Sequence, residues 1–252
     1  MAADVLKIGR LLDGRVPRNR IYRVGVELEG GWKVLPAGAK LDVDNSVFDR
    51  GRPGARHIVP PVAGVVSGEI VSPPMLPIAI TPWIRTHYPS CVDATCGMHI
   101  HVSFKSPLNY QRLMIPEFQE TSCYYFAKWA EEEGFAKQHP IWTRLAGKND
   151  TCQDKFWPEL QVQVDHKHYD KLDAGHRYTK VNFCWNRFET MEFRVLPMMD
   201  TPDQAIRAIR HYLMIVNACL VVVARKEKRL RANLALGEGD LAPYQEYSRK
   251  EI

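Results

Sequence analysis

The amino-acid sequence predicts an α+β fold with a mainly antiparallel sheet. Several short segments alternate apolar with polar residues, which is the period of a strand that buries one face. Two longer segments instead place apolar residues at helical spacing. The predicted strands follow one another as hairpins and do not alternate with helices, so the sheet is expected to be mainly antiparallel.

The N-terminal half is predicted to supply most of the sheet. Residues 21–29 alternate well enough for a strand, which Gly30 and Gly31 are expected to close. Residues 65–71 have the pattern of a further strand. The other predictions in this half are short strands at 32–34 and 40–43, a loop rich in Arg, Gly and Pro at 49–64, a short helix at about 78–86 and a strand at 97–104.

The C-terminal half is predicted to supply the long helices and one more hairpin. Apolar residues at helical spacing predict a helix over 108–135, which Pro116 kinks or interrupts. Residues 139–175 have a mixed pattern that favours no element. The remaining predicted elements are strands at 178–185 and 190–196, which form a hairpin, and a helix from Pro202 to about residue 233.

Length and composition indicate one soluble globular domain. A chain of 252 residues can bury a sizeable core as one domain, or form two small domains at most. Its 45% of hydrophobic and 25% of charged residues are ordinary for a soluble protein. We expect a single domain over 1–252, with a core at about 21–233 and peripheral segments at 1–20 and 234–252.

Charge, cysteines and apolar segments limit the partners and the compartment. The net charge of +5 gives weak support for nucleic-acid binding and fits an anionic ligand equally well. The six cysteines lack the spacing of a disulfide framework, and the N-terminus lacks the apolar segment of a signal peptide. The longest apolar run, 213–224, is too short to span a bilayer. We therefore expect a cytoplasmic protein with no nucleic-acid or membrane partner, and its oligomeric state is left open.

The predicted strand at 97–104 carries two histidines that face the same way. On a strand, His99 and His101 lie about 7 Å apart on one face, with apolar residues on the other face. Imidazoles on a buried face cost free energy unless polar groups or ions pair with them. The pattern therefore indicates a polar site in front of this strand, and a structural pair of histidines is the alternative.

Other predicted strands also place charged residues where a buried face is expected. If these strands share one sheet, their carboxylates repel one another, and their pKa values rise unless a cation neutralises them. Divalent ions with oxygen ligands provide such a cation, and a single imidazole suits Mg²⁺ or Mn²⁺. The charged residues are Glu27 and Glu29 on the first strand, Glu69 on a following strand, and Glu192 with Arg194 on the last strand.

Cations near the last hairpin favour a phosphate ligand for such a site. Arg194, Arg187 and Lys180 are of the types that bind phosphate oxygens, and arginine does so through two parallel hydrogen bonds. Taken alone, Glu192 and Arg194 would form a structural ion pair of little energetic consequence. Taken together, the residues predict a nucleotide held through metals on the face of a sheet.

The order of these motifs resembles that of the amidoligases of the glutamine synthetase superfamily. These are ATP-dependent carboxylate–amine ligases, and they are related to glutamate–cysteine ligases as well. The segment from Gly97 to Ser103 is similar to the Gly-Met-His-x-His-x-Ser segment of glutamine synthetases. The resemblance covers about residues 21–220 and rests on several motifs in order: Glu27-x-Glu29, Glu69-Ile-Val-Ser-Pro, Gly97-Met-His-Ile-His, Arg177-Tyr-x-x-x-Asn182 and Thr190-Met-Glu-Phe-Arg194.

The resemblance implies a single catalytic domain whose glutamine-synthetase-like sheet has helices packed on one face. In the implied reaction, ATP converts a carboxylate into an acyl phosphate, which an amine then attacks to form an amide or peptide bond. ATP with Mg²⁺ or Mn²⁺ would be the cofactors. The substrates would be small-molecule or peptide carboxylates and amines, with a protein substrate as a further option.

Residue by residue, the resemblance implies a metal site and a phosphate site. The implied metal ligands are Glu27, Glu29, Glu69, His99 and Glu192. The implied catalytic contacts to the ATP phosphates or to the transferring phosphoryl group are His101, Arg187 and Arg194. The remaining candidates for cofactor binding are Lys180, Asn182 and Arg177.

The chain departs from glutamine synthetases in two respects. Those enzymes have a further carboxylate a few residues after the position of Glu69, where this chain has none, and Asp42 or Asp44 is left as a substitute. The first metal strand begins near residue 21, so neither their small N-terminal domain nor their ring assembly is expected here.

Two other functions stay open at the level of sequence. A His-x-His strand also suits a mononuclear metalloenzyme, either a hydrolase or an oxygenase. Lys105 disfavours a cupin, because it occupies the position where a further acidic ligand would be expected. The third hypothesis is a non-catalytic nucleotide-binding protein with the same fold, which the complete set of acidic residues disfavours.

Overall fold

The computed structural model describes residues 20–42, 64–149, 152–153, 179–184 and 190–235. These residues form helices and a main antiparallel sheet, so the predicted α+β class is confirmed. Side chains from the sheet and from the helices share one hydrophobic core.

The main sheet has six strands among the described residues. They are β1 (Ile21–Trp32), β2 (Leu41–Asp42), β3 (Val66–Val71), β4 (Gly97–Phe104), β7 (Val181–Cys184) and β8 (Thr190–Pro197). Their order across the sheet is β2-β3-β1-β4-β8-β7, and every neighbouring pair is antiparallel. A separate two-stranded sheet consists of β5 (Lys148–Asn149) and β6 (Cys152–Gln153).

The described α-helices are α1 (Ile80–His87), α2 (Pro107–Leu113), α3 (Pro116–Glu132), α4 (Pro140–Leu145) and α5 (Pro202–Ala235), and a 3₁₀ helix, Pro77–Ala79, directly precedes α1. Pro116 interrupts the helix predicted over 108–135, as expected, because a proline disfavours helical backbone at the residue before it. Ile115 is accordingly extended, with φ −137° and ψ 146°. Helix α4 lies in the segment for which the sequence pattern favoured no element.

The central strands have one apolar and one polar face. Phe193 of β8 contacts Phe126 of α3 and Tyr212 of α5, with ring centroids 4.9 and 4.3 Å apart. These helices therefore cover the apolar face and leave the opposite face for the charged residues. The buried residues of the apolar face are Val24, Val26, Leu28, Met98, Ile100, Val102, Phe193 and Val195.

Gly30 and Gly31 do not close the first strand, which continues through them to Trp32. A Cβ atom on Gly30 would lie 2.5 Å from Cβ of Pro89, and the Gly31 N–H donates to the Cys91 carbonyl at 2.9 Å. The glycines therefore mark the close approach of another segment and not a turn. The separate strand predicted at 32–34 is wrong, because Trp32 is the last residue of β1.

The strand predicted at 97–104 is β4 with the predicted bounds, and most of the other predicted elements are present with shifted ends. Boundaries shift because fraying and turns at the ends of an element leave little trace in sequence periodicity. The helix predicted at 78–86 is α1, the strand at 65–71 is β3, the strand at 40–43 is represented by β2, and the hairpin at 178–185 and 190–196 is β7 with β8. The loop predicted at 49–64 lies outside the described residues except for Gly64.

Helix α5 is long and apolar enough, over Pro202–Arg231, to cross a membrane by length and composition alone. The run at 213–224, which is too short to span a bilayer, is only part of this helix. However, 72% of the most apolar stretch of helix α5 is buried inside the protein. This burial is typical of the core helix of a soluble protein.

The Phe193→Ala variant is expected to lose about 3–5 kcal/mol of unfolding free energy, because it removes a fully buried ring and leaves a cavity. Urea unfolding followed by circular dichroism measures the change. Ile78→Ala is the control, since this side chain is 85% exposed, and it should stay within about 0.5 kcal/mol of the wild type. Equal losses in the two variants would contradict the packing described.

Candidate metal centre

Three neighbouring strands bring four of the predicted site residues together on the polar face. Glu27 of β1 lies opposite His99 of β4, and His101 lies opposite Glu192 of β8. Because side chains alternate along a strand, the polar residues stay on one face while their neighbours enter the core. The shared face that the sequence pattern predicted for these four residues is therefore present.

Glu27 lies between the two histidines. The His99 Nδ1–H donates to Glu27 Oε2, and the His101 Nε2–H donates to Glu27 Oε1, each at 2.8 Å. Burial alone would raise the pKa of Glu27, but the two imidazoles lower it far below its ordinary range. Glu27 is therefore a half-buried anion whose partners are two imidazoles from the neighbouring strand.

Glu192 is held by a different set of partners. Asn182 Nδ2 donates to Glu192 Oε2 at 2.8 Å, and the Arg194 guanidinium pairs with Glu192 Oε1. Burial would raise the pKa of Glu192, and the charge of Arg194 lowers it below its ordinary value. Two of the predicted phosphate-site residues, Asn182 and Arg194, therefore surround a predicted metal ligand in this structure.

Glu27, His99 and Glu192 each offer one ligand atom, and these atoms lie within 4.8 Å of one another. The Glu192 Oε1 atom is 3.5 Å from His99 Nδ1, the same nitrogen that faces Glu27. Two carboxylate oxygens with one imidazole nitrogen form a donor set that suits Mg²⁺ or Mn²⁺. The residues thus fit a divalent cation, and we call Glu27, His99 and Glu192 the metal triad.

Glu29 and Glu69, the other two predicted ligands, lie beside the metal triad and not within it. Glu29 is buried and accepts the Gly97 N–H at 2.6 Å, and its Oε1 atom is 3.7 Å from His99 Nε2. Glu69 of β3 lies opposite Glu29 across the strand pair. The row of acidic residues therefore extends along the sheet from the triad towards β3.

The other predicted site residues are only partly described. Lys180 is buried next to β8, where its carbonyl accepts the Arg194 N–H. Asp42 of β2 lies opposite Glu69, but its side chain is outside the described part of the chain. Arg177, Arg187 and Asp44 lie outside the described residues altogether.

Arg144 of α4 belongs to this region, and the sequence pattern gave no sign of it. Its side chain is buried, and Nη2 donates to the carbonyls of Thr95 and Cys96, just before β4. The spacing of Ile141 and Leu145, four residues apart, is typical of a helix with one buried face. An arginine next to such residues is ordinarily solvent-exposed, so this pattern does not predict that Arg144 is buried. Only the tertiary structure places this charge near the metal triad.

A cavity of about 770 Å³ opens beside Glu27 and His101. It continues along β1 and β4 towards a cationic end, where the Arg23 guanidinium lies 4.7 Å and the Lys105 ammonium 5.5 Å from the centre of the Tyr22 ring. Its volume is within the range of small-molecule and cofactor sites. The cavity therefore provides space for a ligand next to the triad, with positive charge for an anionic group.

No family model, no curated protein and no solved structure matches this chain. The geometry of the site and the resemblance of its motifs to amidoligases are therefore the basis of the function proposed below.

The lowered pKa of Glu27 predicts an acid-sensitive contribution to stability. A carboxyl group whose folded-state pKa lies below its ordinary value, 4.5, stabilises the fold fully above that value, and this stabilisation is lost as the pH falls through the folded-state pKa. Between about pH 5 and pH 3, the unfolding free energy should therefore decline more steeply in the wild type than in Glu27→Gln. Urea unfolding at each pH measures both slopes, and parallel slopes would contradict the ion pairs assigned to Glu27.

Proposed function

We propose that the protein is an ATP-dependent carboxylate–amine ligase of the cytoplasm, which binds ATP and a divalent metal on the polar face of its sheet. The observation that carries the proposal is the convergence of Glu27, His99 and Glu192 beside a cavity of 770 Å³. Buried carboxylates need compensating cations. A metal held at one end of such a cavity is suited to a ligand with phosphate groups.

Glu27, His99 and Glu192 would hold Mg²⁺ or Mn²⁺, and Glu29 and Glu69 are proposed as ligands of a further ion. Glu29 and Glu69 face each other across β1 and β3, which supports the second assignment. When bound, the metal would neutralise phosphate oxygens and so favour phosphoryl transfer.

His101 and Arg194 are proposed to act on the phosphates. His101 lines the cavity, so an anionic group bound there would lie next to its imidazole. Burial opposes the charge of Arg194, but Glu192 and other carboxylates keep its pKa above the ordinary value, so it stays a cation. Fixed cations that need no reorganisation stabilise charge that develops during phosphoryl transfer.

The remaining proposed contacts have less structural support. Lys180 and Asn182 lie on β7 or just before it, next to Glu192 and Arg194 of β8. Arg177 and Arg187 are proposed to bind the nucleotide on the basis of the resemblance of the motifs alone.

In the proposed reaction, the substrate carboxylate accepts the terminal phosphoryl group of ATP, and ADP leaves. The amine then attacks the acyl carbon of the acyl phosphate, and inorganic phosphate leaves as the amide forms. Each amide bond thus consumes one ATP. The protein aligns the two anions and supplies fixed cations, so no covalent enzyme nucleophile is required.

A mononuclear metalloenzyme is the second candidate. The triad supplies three protein ligands, which is the number that leaves coordination positions open in hydrolases and non-haem oxygenases. Metal analysis of the purified protein separates the two functions. Tightly bound zinc or iron without ATP binding would favour the metalloenzyme.

The purified protein is expected to release phosphate from ATP only with Mg²⁺ or Mn²⁺ and with a suitable acid and amine. A phosphate assay across a panel of acids and amines identifies the substrates. With those substrates, Glu27→Gln and Glu192→Gln should each lower turnover on the order of 100-fold, because each variant weakens a metal ligand.

Glu133→Gln is the matched control for these variants. Glu133 pairs with Arg207 through an exposed contact outside the metal triad, so its replacement should leave turnover unchanged. Circular dichroism verifies that all three variants are folded. Wild-type turnover in both Glu27→Gln and Glu192→Gln would show that the metal assignment is wrong.

A further inference from the structure

Arg144 buries a positive charge that the proposed ligase chemistry does not use. Its side chain is 2% exposed, and Nη2 donates to the carbonyls of Thr95 and Cys96 at 3.2 and 3.4 Å. Its Nε has no hydrogen-bond partner among the described residues. A buried cation is costly unless an opposite charge lies close to it, so the surroundings of this guanidinium need an explanation.

Gly97, the first residue of β4, lets the guanidinium approach the metal triad. A Cβ atom at this position would meet three groups: His99 Nε2 at 3.1 Å, Arg144 Nη1 at 3.2 Å and Glu29 Oε2 at 3.3 Å. These distances are shorter than ordinary van der Waals contacts, so a side chain at residue 97 would push the groups apart. The absence of a side chain thus allows an imidazole, a guanidinium and a carboxylate to converge.

Glu29 connects Arg144 with His99. Burial lowers the pKa of Arg144, and Glu29 is the group that opposes this effect most strongly. The same carboxylate accepts the Gly97 N–H at 2.6 Å and has its Oε1 atom 3.7 Å from His99 Nε2. Arg144 therefore acts on Glu29 by its charge and by fixing the backbone just before the Gly97 donor.

The two nitrogens of His99 face different carboxylates. Nδ1 is 2.8 Å from Glu27 and 3.5 Å from Glu192, so it lies on the side of the metal triad. Nε2 faces Glu29 on the other side of the ring. A metal-ligating histidine generally directs its second ring N–H to a carboxylate or a carbonyl, which fixes the tautomer and the orientation of the ring.

We propose that Arg144 is a positioning residue of the metal centre, which holds Glu29 in place so that Glu29 orients His99 with its Nδ1 towards the metal. The inference rests on the metal site of the proposed function and not on the ligase reaction. It assigns Glu29 a role towards the imidazole and leaves its proposed contribution to a further ion unchanged.

Mn²⁺ binding to the full chain tests this role, with calorimetry as the readout. Arg144→Met is expected to weaken Mn²⁺ binding about 10–100-fold. Arg144→Lys is expected to weaken it by a smaller factor, because lysine keeps the positive charge but lacks the planar guanidinium with its several N–H donors. Arg112→Met is the matched control, since Arg112 pairs with Glu227 outside the metal triad, and it should bind Mn²⁺ like the wild type.

A double-mutant cycle keeps the test decisive if Arg144→Met does not fold. Glu29→Gln should also weaken Mn²⁺ binding, and combining it with Arg144→Lys should cost less than the product of the two single effects, because Arg144 acts on the metal centre through Glu29. Multiplicative effects, or a folded Arg144→Lys variant with lower thermal stability but wild-type Mn²⁺ affinity, would overturn the proposal.

The wild-type protein separates this inference from the function on which it rests. A wild type that binds no Mn²⁺ would overturn both the metal site and the role of Arg144. A wild type that binds Mn²⁺ but has no ligase turnover would overturn the proposed reaction alone. In that case the affinities of the Arg144 and Glu29 variants still decide the inference.

Discussion

Glu27 places a negative charge between His99 and His101. Each of its two carboxylate oxygens lies 2.8 Å from a ring nitrogen of one of these histidines. Removing a carboxylate from water costs several kcal/mol, which only well-placed partners offset. Both partners come from β4, so the site depends on how β1 and β4 pair. A slip of one residue would turn Glu27 to the other face of the sheet. The apolar face resists such a slip, because it would expose Val26 and Leu28, which are fully buried.

The carboxylates of the polar face differ in the cations that support them. Arg194 pairs with Glu192, and the guanidinium of Arg144 and the carboxylate of Glu29 both lie beside Gly97. Among the described residues, the ion-pair partners of Glu27 are imidazoles, which carry a full positive charge only when protonated. An added cation beside Glu27 would therefore neutralise a carboxylate that forms no ion pair with a guanidinium among the described residues. This difference explains why the metal triad, and not the row extending towards β3, is the central feature of the proposed site.

The sequence allowed the strand residues of the site to be predicted, because a period of two fixes the face of each residue. This holds for His99 and Glu192, whose alternation with apolar residues is unbroken. The sequence predicts a strand end at Gly30, because a glycine at a close approach has no sequence pattern that distinguishes it from a glycine in a turn. The burial of Arg144 cannot be predicted from the sequence, because it depends on a contact with Cys96, 48 residues away, which no local pattern records.

Anomalous diffraction from crystals grown with Mn²⁺ tests most directly whether the triad binds metal. We predict an anomalous peak within about 2.0–2.6 Å of one oxygen of Glu27, one oxygen of Glu192 and Nδ1 of His99. Binding there would require the Nδ1 proton of His99, which now joins it to Glu27, to leave. A peak elsewhere on the protein, with the hydrogen bond from His99 to Glu27 intact, would contradict the assignment of the metal centre.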